Sequence, residues 1–308
     1  MRKIMMAGIA SLFLFAVTAC GSDVSTSDTS VATETSSFPV TVGDLTLASQ
    51  PMRIVSLSPT ATEMLYAIGA GEQVVAVDDY SNFPQEAVDL GTALSGYEPN
   101  VEAIAGYSPD LVIIAYDTTS LTEQLNSLSI PVFMAAAVPS IDAAYEQIEQ
   151  IGALTGHAAE AAALTESMRA QIEEAIAGVT LPAEPLSYYH ELDNTLYSVT
   201  SNTFIGSVYS LFGLRNIADN VEAGNDYPQL SAEVIVSADP DLIFLADTKC
   251  CGETAVTVAA RDGWGSLKAV TNGNVIELDD DIPSRWGPRI VDFVIAIRDA
   301  IAALLANA

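Results

Sequence analysis

An internal repeat is the feature that most limits the folds open to this sequence. Residues 101–117 are VEAIAGYSPDLVIIAYD, and residues 232–247 are AEVIVSADPDLIFLAD. Each copy predicts a helix, a Pro-Asp turn and a buried strand. Pro-Asp-Leu before a strand is common in α/β proteins, but here it follows a glutamate at the same spacing in both copies, Glu102 and Glu233. The repeat therefore predicts two similar lobes with a cleft between them, where ligands usually bind.

Strand and helix patterns alternate on both sides of a long helical stretch. A hairpin is predicted over residues 40–47, and helices over 61–68 and 121–128. The predicted strands fall at 53–57, 74–77, 111–115 and 132–135 in the first half, and at 186–190, 242–245 and 275–278 in the second. Such alternation indicates mainly parallel sheets with right-handed crossovers.

The stretch over 140–177 is helical in pattern throughout, with a break near Gly156. Its second piece, from His157 to Ala177, has Met168 and Ile172 on one apolar face. About 20 helical residues span about 30 Å, which is long enough to bridge two lobes.

The start of the chain has the pattern of a secretory signal. Basic residues are followed by an apolar run over 4–17 and by small residues before Cys20. The run is shorter than the roughly 20 apolar residues that cross a membrane. The ending Val-Thr-Ala-Cys is similar to a bacterial lipobox, so we predict a signal peptide over 1–19 and a lipid on Cys20; a chance cysteine is the alternative. The Ser- and Thr-rich segment over 20–39 is the predicted flexible tether.

Composition excludes some classes of protein. Hydrophobic residues make up 50% of the chain, which excludes a wholly disordered protein. The net charge of −29 repels nucleic acid and anionic lipid. Beyond Cys20 the cysteines are the adjacent pair Cys250 and Cys251, which form either a strained vicinal disulfide or two free thiols. With no histidine near them they are a poor zinc site, and no metal or cofactor is predicted.

Five motifs are spread over nearly all of residues 50–305. They are RIVSLSPTATE at 53–63, VDDYSNFP at 77–84, SPDLV at 108–112, YPQLS at 227–231 and RWGPR at 285–289. Together they resemble the helical-backbone (class III) substrate-binding lipoproteins of ABC importers, which bind cobalamin, haem or siderophores, and they are most similar to the cobalamin-binding type.

The resemblance implies an α/β fold with two Rossmann-like lobes, whose mainly parallel sheets are joined by a single long linking helix. Such a helix resists hinging more than loops would. The expected boundaries are 40–139 for the N-terminal lobe, 140–181 for the linking helices and 182–308 for the C-terminal lobe.

The resemblance also implies a set of ligand-binding residues. They are Tyr80, Tyr97, Tyr197, Tyr227, Arg285 and Trp286. Independently of the family, tyrosines in loops after strands or before helices lie on the pocket side of an open α/β sheet. Flat rings suit the broad apolar faces of a corrin or porphyrin, although any single loop tyrosine is as easily an ordinary surface residue.

Basic residues and histidines are rare, so the few that are present are informative. Arg285 precedes the last predicted helix. It either binds a carboxylate or phosphate of the ligand or has a purely structural role. Arg289 has the same ligand role or pairs with Asp292. His190 ends a strand, either as a hydrogen-bonded residue or as an axial metal ligand, whereas His157 is expected at the surface.

The repeated glutamates suggest a second surface. In the family that the chain resembles, one acid on each lobe docks onto arginines of a dimeric permease, and Glu102 and Glu233 match those positions. Equivalent sites on two similar lobes suit a two-fold partner. The alternative is a pair of solvated acids favoured by helix N-termini.

The expected function is capture of a corrinoid between the lobes and its delivery to an ABC permease with ATPase subunits. We expect a monomer, anchored by lipid on the outer face of the cell membrane, or periplasmic where the host has an outer membrane. Haem or a ferric siderophore is the alternative ligand, but an anionic siderophore needs more cationic residues than this chain offers. A zinc or manganese carrier needs more histidines. An enzyme is not expected, because hydrolase, zincin, phosphate-loop and dinucleotide motifs are missing from the sequence.

Overall fold

A computed structural model describes residues 38–92, 94–117 and 119–307. The predicted signal peptide, the lipid site Cys20 and nearly all of the tether lie outside these ranges. None of the helices within them is long and apolar enough to cross a membrane.

The first lobe is built on a parallel sheet covered by helices. Its elements are β1 (Val40–Val42), β2 (Leu45–Leu47), β3 (Ile54–Leu57), α1 (Pro59–Ala67), β4 (Val74–Val77), α2 (Gln85–Val88), α3 (Val101–Gly106), β5 (Leu111–Ile114), α4 (Leu121–Ser127) and β6 (Val132–Met134). The strands β1 and β2 form the predicted antiparallel hairpin. The others make a parallel sheet in the order β4-β3-β5-β6.

The second lobe repeats this topology after two linking helices. The remaining elements are α5 (Ile141–Thr155), α6 (Ala158–Ala177), β7 (Ser187–Glu191), α7 (Phe204–Ser210), β8 (Arg215–Asn216), α8 (Ala232–Ala238), β9 (Leu242–Leu245), α9 (Ala255–Ala259), α10 (Lys268–Thr271), β10 (Val275–Glu277), α11 (Asp281–Ser284) and α12 (Ile290–Ala306). The second sheet has the order β8-β7-β9-β10 and is also parallel. In each parallel sheet the second of its four strands along the chain is at one edge, followed by the first, third and fourth, which confirms the two-lobe α/β prediction.

The central strands are buried on both faces, as a parallel sheet between helices requires. Every residue of β5 is buried. Leu111 and Ile113 pack into the core shared with α1 and the linking helices, whereas Val112 and Ile114 pack against α3 and α4. Continuous apolar runs in the sequence therefore mark these strands.

The repeated Pro-Asp turn has the same task in both lobes. Asp110 Oδ2 accepts a hydrogen bond from the backbone N–H of Met52 at 2.9 Å. Asp241 Oδ2 accepts from the N–H of Ser187 at 2.8 Å and from its hydroxyl at 2.8 Å. Asp110 directly precedes β5, and Asp241 directly precedes β9. Each aspartate thus ties the start of its strand to the start of the neighbouring strand in the sheet, which is β3 in the first lobe and β7 in the second.

The connection between the lobes is a pair of packed helices. The break falls at Gly156, whose φ of +82° is one that glycine adopts without strain. The helices approach closely, since a Cβ on Gly152 would lie 2.4 Å from the Cβ of Ala161. Met168 and Ile172 of α6 are buried, as their spacing predicts. The helix α5 packs on α1 of the first lobe, and α6 packs on α12 of the second.

Replacing Asp241 by alanine tests this strand tie. The backbone N–H of Ser187 would lose its partner, so we expect the free energy of unfolding to fall by about 1–3 kcal/mol. Urea denaturation of Asp241→Ala measures it. Glu146→Ala, at an exposed position in α5, is the control and should change little; an equal loss in both variants would contradict the proposed role of the aspartate.

Candidate functional site

An open cavity of about 340 Å³ lies between the lobes, at the carboxyl ends of the first-lobe strands. Ligands of open α/β sheets bind at this edge. The first lobe supplies loops after β3, β4 and β5, and the second supplies α11 and the loop before α12. The lining side chains that matter most are Tyr80, Tyr97, Tyr116, Trp286, Asp78 and Arg285.

Three tyrosines form an aromatic wall on the first-lobe side. The ring centroids of Tyr80 and Tyr97 are 6.2 Å apart, and those of Tyr97 and Tyr116 are 5.3 Å apart. Their exposed fractions are 58%, 65% and 39%, so their faces are open to a ligand. Tyr116 was missed in the sequence, although it follows β5 closely, just as Tyr80 follows β4.

Trp286 lines the cavity from the second lobe and is held by the linking helix α5. Its Nε1 donates to Gln147 Oε1 at 2.7 Å, and Gln147 Nε2 donates to the carbonyl of Ala136 at 2.9 Å. The indole is therefore fixed in direction before any ligand arrives.

A buried ion cluster joins the lobes beside the cavity. Glu63 of α1 accepts from Arg285 Nη1 at 2.7 Å, and from Arg289 Nε at 2.9 Å and Nη2 at 2.6 Å. Arg285 Nη2 also donates to the carbonyl of Tyr80 at 3.0 Å and to Asp281 Oδ1 at 2.8 Å. We call Glu63, Arg285, Arg289 and Asp281 the interlobe cluster. Its presence means that Arg285 lines the cavity with its charge already paired, and that Arg289 has Glu63 rather than Asp292 as its acidic partner.

Asp281 extends the cluster to the rim of the cleft. Its Oδ2 accepts from Asn82 Nδ2 of the first lobe at 3.0 Å and from Lys249 Nζ at 3.0 Å. Although burial acts in the opposite direction, Arg285 and Lys249 hold the pKa of Asp281 below its ordinary value. Asp281 is thus a charged carboxylate committed to these cations.

Asp78 is the one carboxyl group of the cavity wall whose pKa is raised. It is 3% exposed, and Ser81 Oγ donates to its Oδ1 at 2.7 Å. Burial raises the pKa of Asp78 to about 6. The backbone of Gly96 approaches so closely that a Cβ there would lie 2.8 Å from Asp78 Oδ2.

Tyr197 and Tyr227 lie at the carboxyl edge of the second sheet rather than on this cavity. The N–H of Leu192, directly after β7, donates to the carbonyl of Tyr197 at 2.9 Å, and the N–H of Ser198 donates to the carbonyl of Pro228. Tyr197 is 40% exposed and Tyr227 is 53% exposed. The structure brings Tyr80, Tyr97, Arg285 and Trp286 together around one cavity, and it places these two on the open edge of the other lobe.

Glu102 and Glu233 occupy equivalent positions. Each is exposed in the first turn of its helix, after the capping residues Asn100 and Ser231. Hydrogen bonds from its own backbone N–H and from the Ser231 hydroxyl lower the pKa of Glu233. Both side chains therefore lie at the protein surface, at matching places on the two lobes.

The remaining sequence candidates lie away from the cavity wall. His190 is fully buried with its Nδ1 2.8 Å from the Tyr209 hydroxyl, which favours the structural interpretation over axial ligation. Burial also lowers the pKa of His190 to about 3. His157 precedes α6 with its side chain partly exposed. Cys250 and Cys251 are exposed free thiols in this structure. Nowhere in the described ranges do histidine, cysteine and acidic residues form a group suited to a metal ion.

A second buried acid lies at the carboxyl end of β9. Asp247 is fully buried, and within the described part of the chain neither of its carboxylate oxygens has a hydrogen-bond partner. Arg261 pairs instead with the neighbouring Glu191, at 2.6 and 2.5 Å, and with Glu253 at 2.8 Å. Burial, and then the charge of Glu191, raise the pKa of Asp247 well above its ordinary value.

Known proteins share both the sequence and the fold. The family model described as "Periplasmic binding protein" matches residues 54–282. A cobalamin-binding protein of Halobacterium salinarum is 37% identical over 270 residues, which cover 83% of this chain and 72% of the relative. YvrC of Bacillus subtilis, an uncharacterized ABC transporter substrate-binding lipoprotein, is 30% identical over 96% of each chain.

Two solved structures extend the likeness. The vitamin B12 binding protein BtuF of Vibrio cholerae superposes with a TM-score of 0.67 at 25% identity, over 83% of this chain and 98% of that one. The heme-binding protein RhuT of Roseiflexus sp. RS-1 gives 0.69 at 25% identity, over 81% and 98%.

Glu63→Gln tests the interlobe cluster. The change leaves the buried Arg285 and the partly buried Arg289 without their shared countercharge, and breaking a buried ion pair in this way costs about 3–5 kcal/mol. Urea denaturation should show a loss of that size, whereas Glu72→Gln, at an exposed position of the same lobe, should be close to neutral. Near-equal stability of the two variants would show that the cluster does not hold the lobes.

Asp247→Asn tests the second buried acid. A carboxyl group whose pKa is raised by folding binds protons more tightly in the native than in the unfolded chain. Its contribution to stability therefore decreases as the pH rises above the unfolded pKa of about 4. At pH 8 the variant should be more stable than the wild type by about 1 kcal/mol or more, and this gap should close near pH 4. Thermal unfolding across that range measures it, with the exposed Asp262→Asn as a control that shows no such trend.

Proposed function

The chain belongs to the periplasmic binding protein family, and on that premise we propose that it is the substrate-binding component of an ABC importer that captures a corrinoid. The wall of Tyr80, Tyr97 and Tyr116 beside an interlobe cavity carries the proposal. Relatives named for cobalamin or vitamin B12 binding support the choice of ligand.

The chemistry of the wall suits a broad, flat, weakly charged ligand. Exposed aromatic rings offer a large contact area at low entropic cost, and burying one contributes about 1.5–3 kcal/mol. A cavity of about 340 Å³ is at the small end of ligand pockets. It therefore receives part of a corrin, and the rest extends toward Tyr197 and Tyr227 on the edge of the second lobe.

Haem is the alternative ligand, and the likeness to a heme-binding structure favours it as the second candidate. Haem carries two propionates, which cationic side chains would normally hold. In this cleft Arg285 is already paired with Glu63 and Asp281. The corrinoid therefore fits the charge of the site better.

Delivery and anchoring complete the proposal. Glu102 and Glu233, exposed at matching places on the two lobes, dock onto a two-fold permease, where such charges set orientation and association rate. A lipid on Cys20 keeps a monomeric protein at the outer face of the membrane. The packed linking helices and the interlobe cluster allow only a small closure on the ligand.

Calorimetric titration of the purified protein with cyanocobalamin tests the proposal. We expect saturable one-to-one binding, weakened about tenfold or more in Tyr80→Ala and in Tyr97→Ala because each loses the burial of one ring. Tyr80→Phe keeps the ring and should bind nearly as well. Leu128→Ala, an exposed apolar residue outside the cavity wall, is the matched control.

Each result has a direct meaning. Absence of any heat or thermal shift with cyanocobalamin would refute the corrinoid assignment, and binding of haemin in its place would establish the alternative. Binding that survives both alanine variants would place the site away from this aromatic wall.

A further inference from the structure

The positive charges around the cavity are all engaged by acids of the protein. Arg285 lies against Glu63 and Asp281, and Lys249 against Asp281 and Asp279. Arg289 is likewise bound to Glu63. A ligand entering the cavity therefore meets no unpaired cation on the described part of its wall.

Asp78 is in the opposite position. It lines the same cavity, and no salt bridge in the described ranges reaches it. Within the same ranges its carboxylate takes hydrogen bonds from Ser81 alone, which leaves acceptor capacity on the carboxylate. Its neighbours are an acid in its own loop, Asp79, and Arg285 across the cleft, whose effect on it is weaker than that of burial.

We propose that Asp78 selects the ligand by the groups on the ligand's rim. The Asp78 carboxylate accepts hydrogen bonds from neutral carboxamide N–H groups of the ligand and repels the ligand's carboxylates. This inference rests on the proposed function and names the chemistry by which the cleft distinguishes a corrinoid from a ligand that carries acids. The carboxamide rim of a corrin presents the required donors, whereas the propionates of haem present like charge.

Physical magnitudes favour a measurable effect. A hydrogen bond to a charged acceptor, made where water is largely excluded, changes affinity by about tenfold to a hundredfold. A ligand carboxylate in the place of the carboxamide loses that bond and is repelled by Asp78. Because Asp78 is only 3% exposed, water screens this repulsion poorly.

The preference for the carboxamide should also decrease as the pH falls through about 6, where Asp78 becomes protonated, while the ligand's own carboxylate stays charged. Besides Asp79 and Arg285, the titratable groups on this cavity wall are Tyr80, Tyr97, Tyr116 and Asp281, the last of which is paired with Arg285 and Lys249.

The test compares acid and neutral forms of the same ligand. Cyanocobalamin is measured against its separated monocarboxylic acids, in each of which one rim carboxamide is replaced by a carboxylate, and haemin against its dimethyl ester. Dissociation constants are determined at pH 7.5 and pH 5.0 for the wild type, Asp78→Asn and Asp79→Asn. The Asp79 variant removes one negative charge from an exposed neighbouring position and serves as the matched control.

The expected result is a preference of about tenfold or more for cyanocobalamin over at least one monocarboxylic acid at pH 7.5. That preference should be lost in Asp78→Asn, reduced in the wild type at pH 5.0, and kept in Asp79→Asn. An unchanged preference in Asp78→Asn would overturn the inference even if cyanocobalamin binds well.

The two haem probes separate this inference from the proposed function. If no corrinoid binds but the ester is preferred over haemin in the wild type and not in Asp78→Asn, the corrinoid assignment fails while the role of Asp78 stands. If haemin and its ester bind alike in both proteins, Asp78 does not select the rim and the inference fails as well.

Discussion

The arrangement of the cleft depends on one carboxylate, Glu63, shared by two arginines of the other lobe. Glu63 is 2% exposed and Arg285 is 6% exposed, so the charges lie largely out of water. Taking such charges from water costs several kcal/mol for each ion, and only nearly complete pairing offsets that cost. Separating the lobes would leave buried charges unpaired. The cluster therefore fixes the distance between the lobes, and the other features of the site are built around that fixed distance.

The same arginine also orders the aromatic wall. Arg285 donates to the carbonyl of Tyr80 while it is held by Glu63, so the loop that carries the first ring is tied to the second lobe. Trp286, the next residue, is anchored through Gln147 of the linking helix α5. A cleft ordered before binding loses little entropy when the ligand arrives. For the proposed ligand we therefore expect affinity to come from ring contact rather than from a large closure of the lobes.

The sequence predicted the fold well because its evidence is local. Continuous apolar runs mark strands buried on both faces, and the repeat marks two lobes. Even the left-handed residues before the Pro-Asp turns recur, with φ of 49° at Ser108 and 44° at Asp239. The rule that tyrosines in loops after strands lie on the pocket side predicts Tyr116 as well as Tyr80. No such rule predicts the pairing of Arg285 with Glu63, because the two are 222 positions apart and neither segment indicates that they meet.

The surroundings of an acidic residue decide its role, as three settings in this protein illustrate. Buried between arginines, Glu63 joins the lobes. On the cavity wall, where no cation among the described residues pairs with it, Asp78 is left to interact with the ligand. At exposed helix starts, Glu102 and Glu233 face solvent. Because the protein's own acids already neutralise the cleft arginines, the strongly negative composition is itself a reason to expect a ligand that brings hydrogen-bond donors and an apolar face rather than charge.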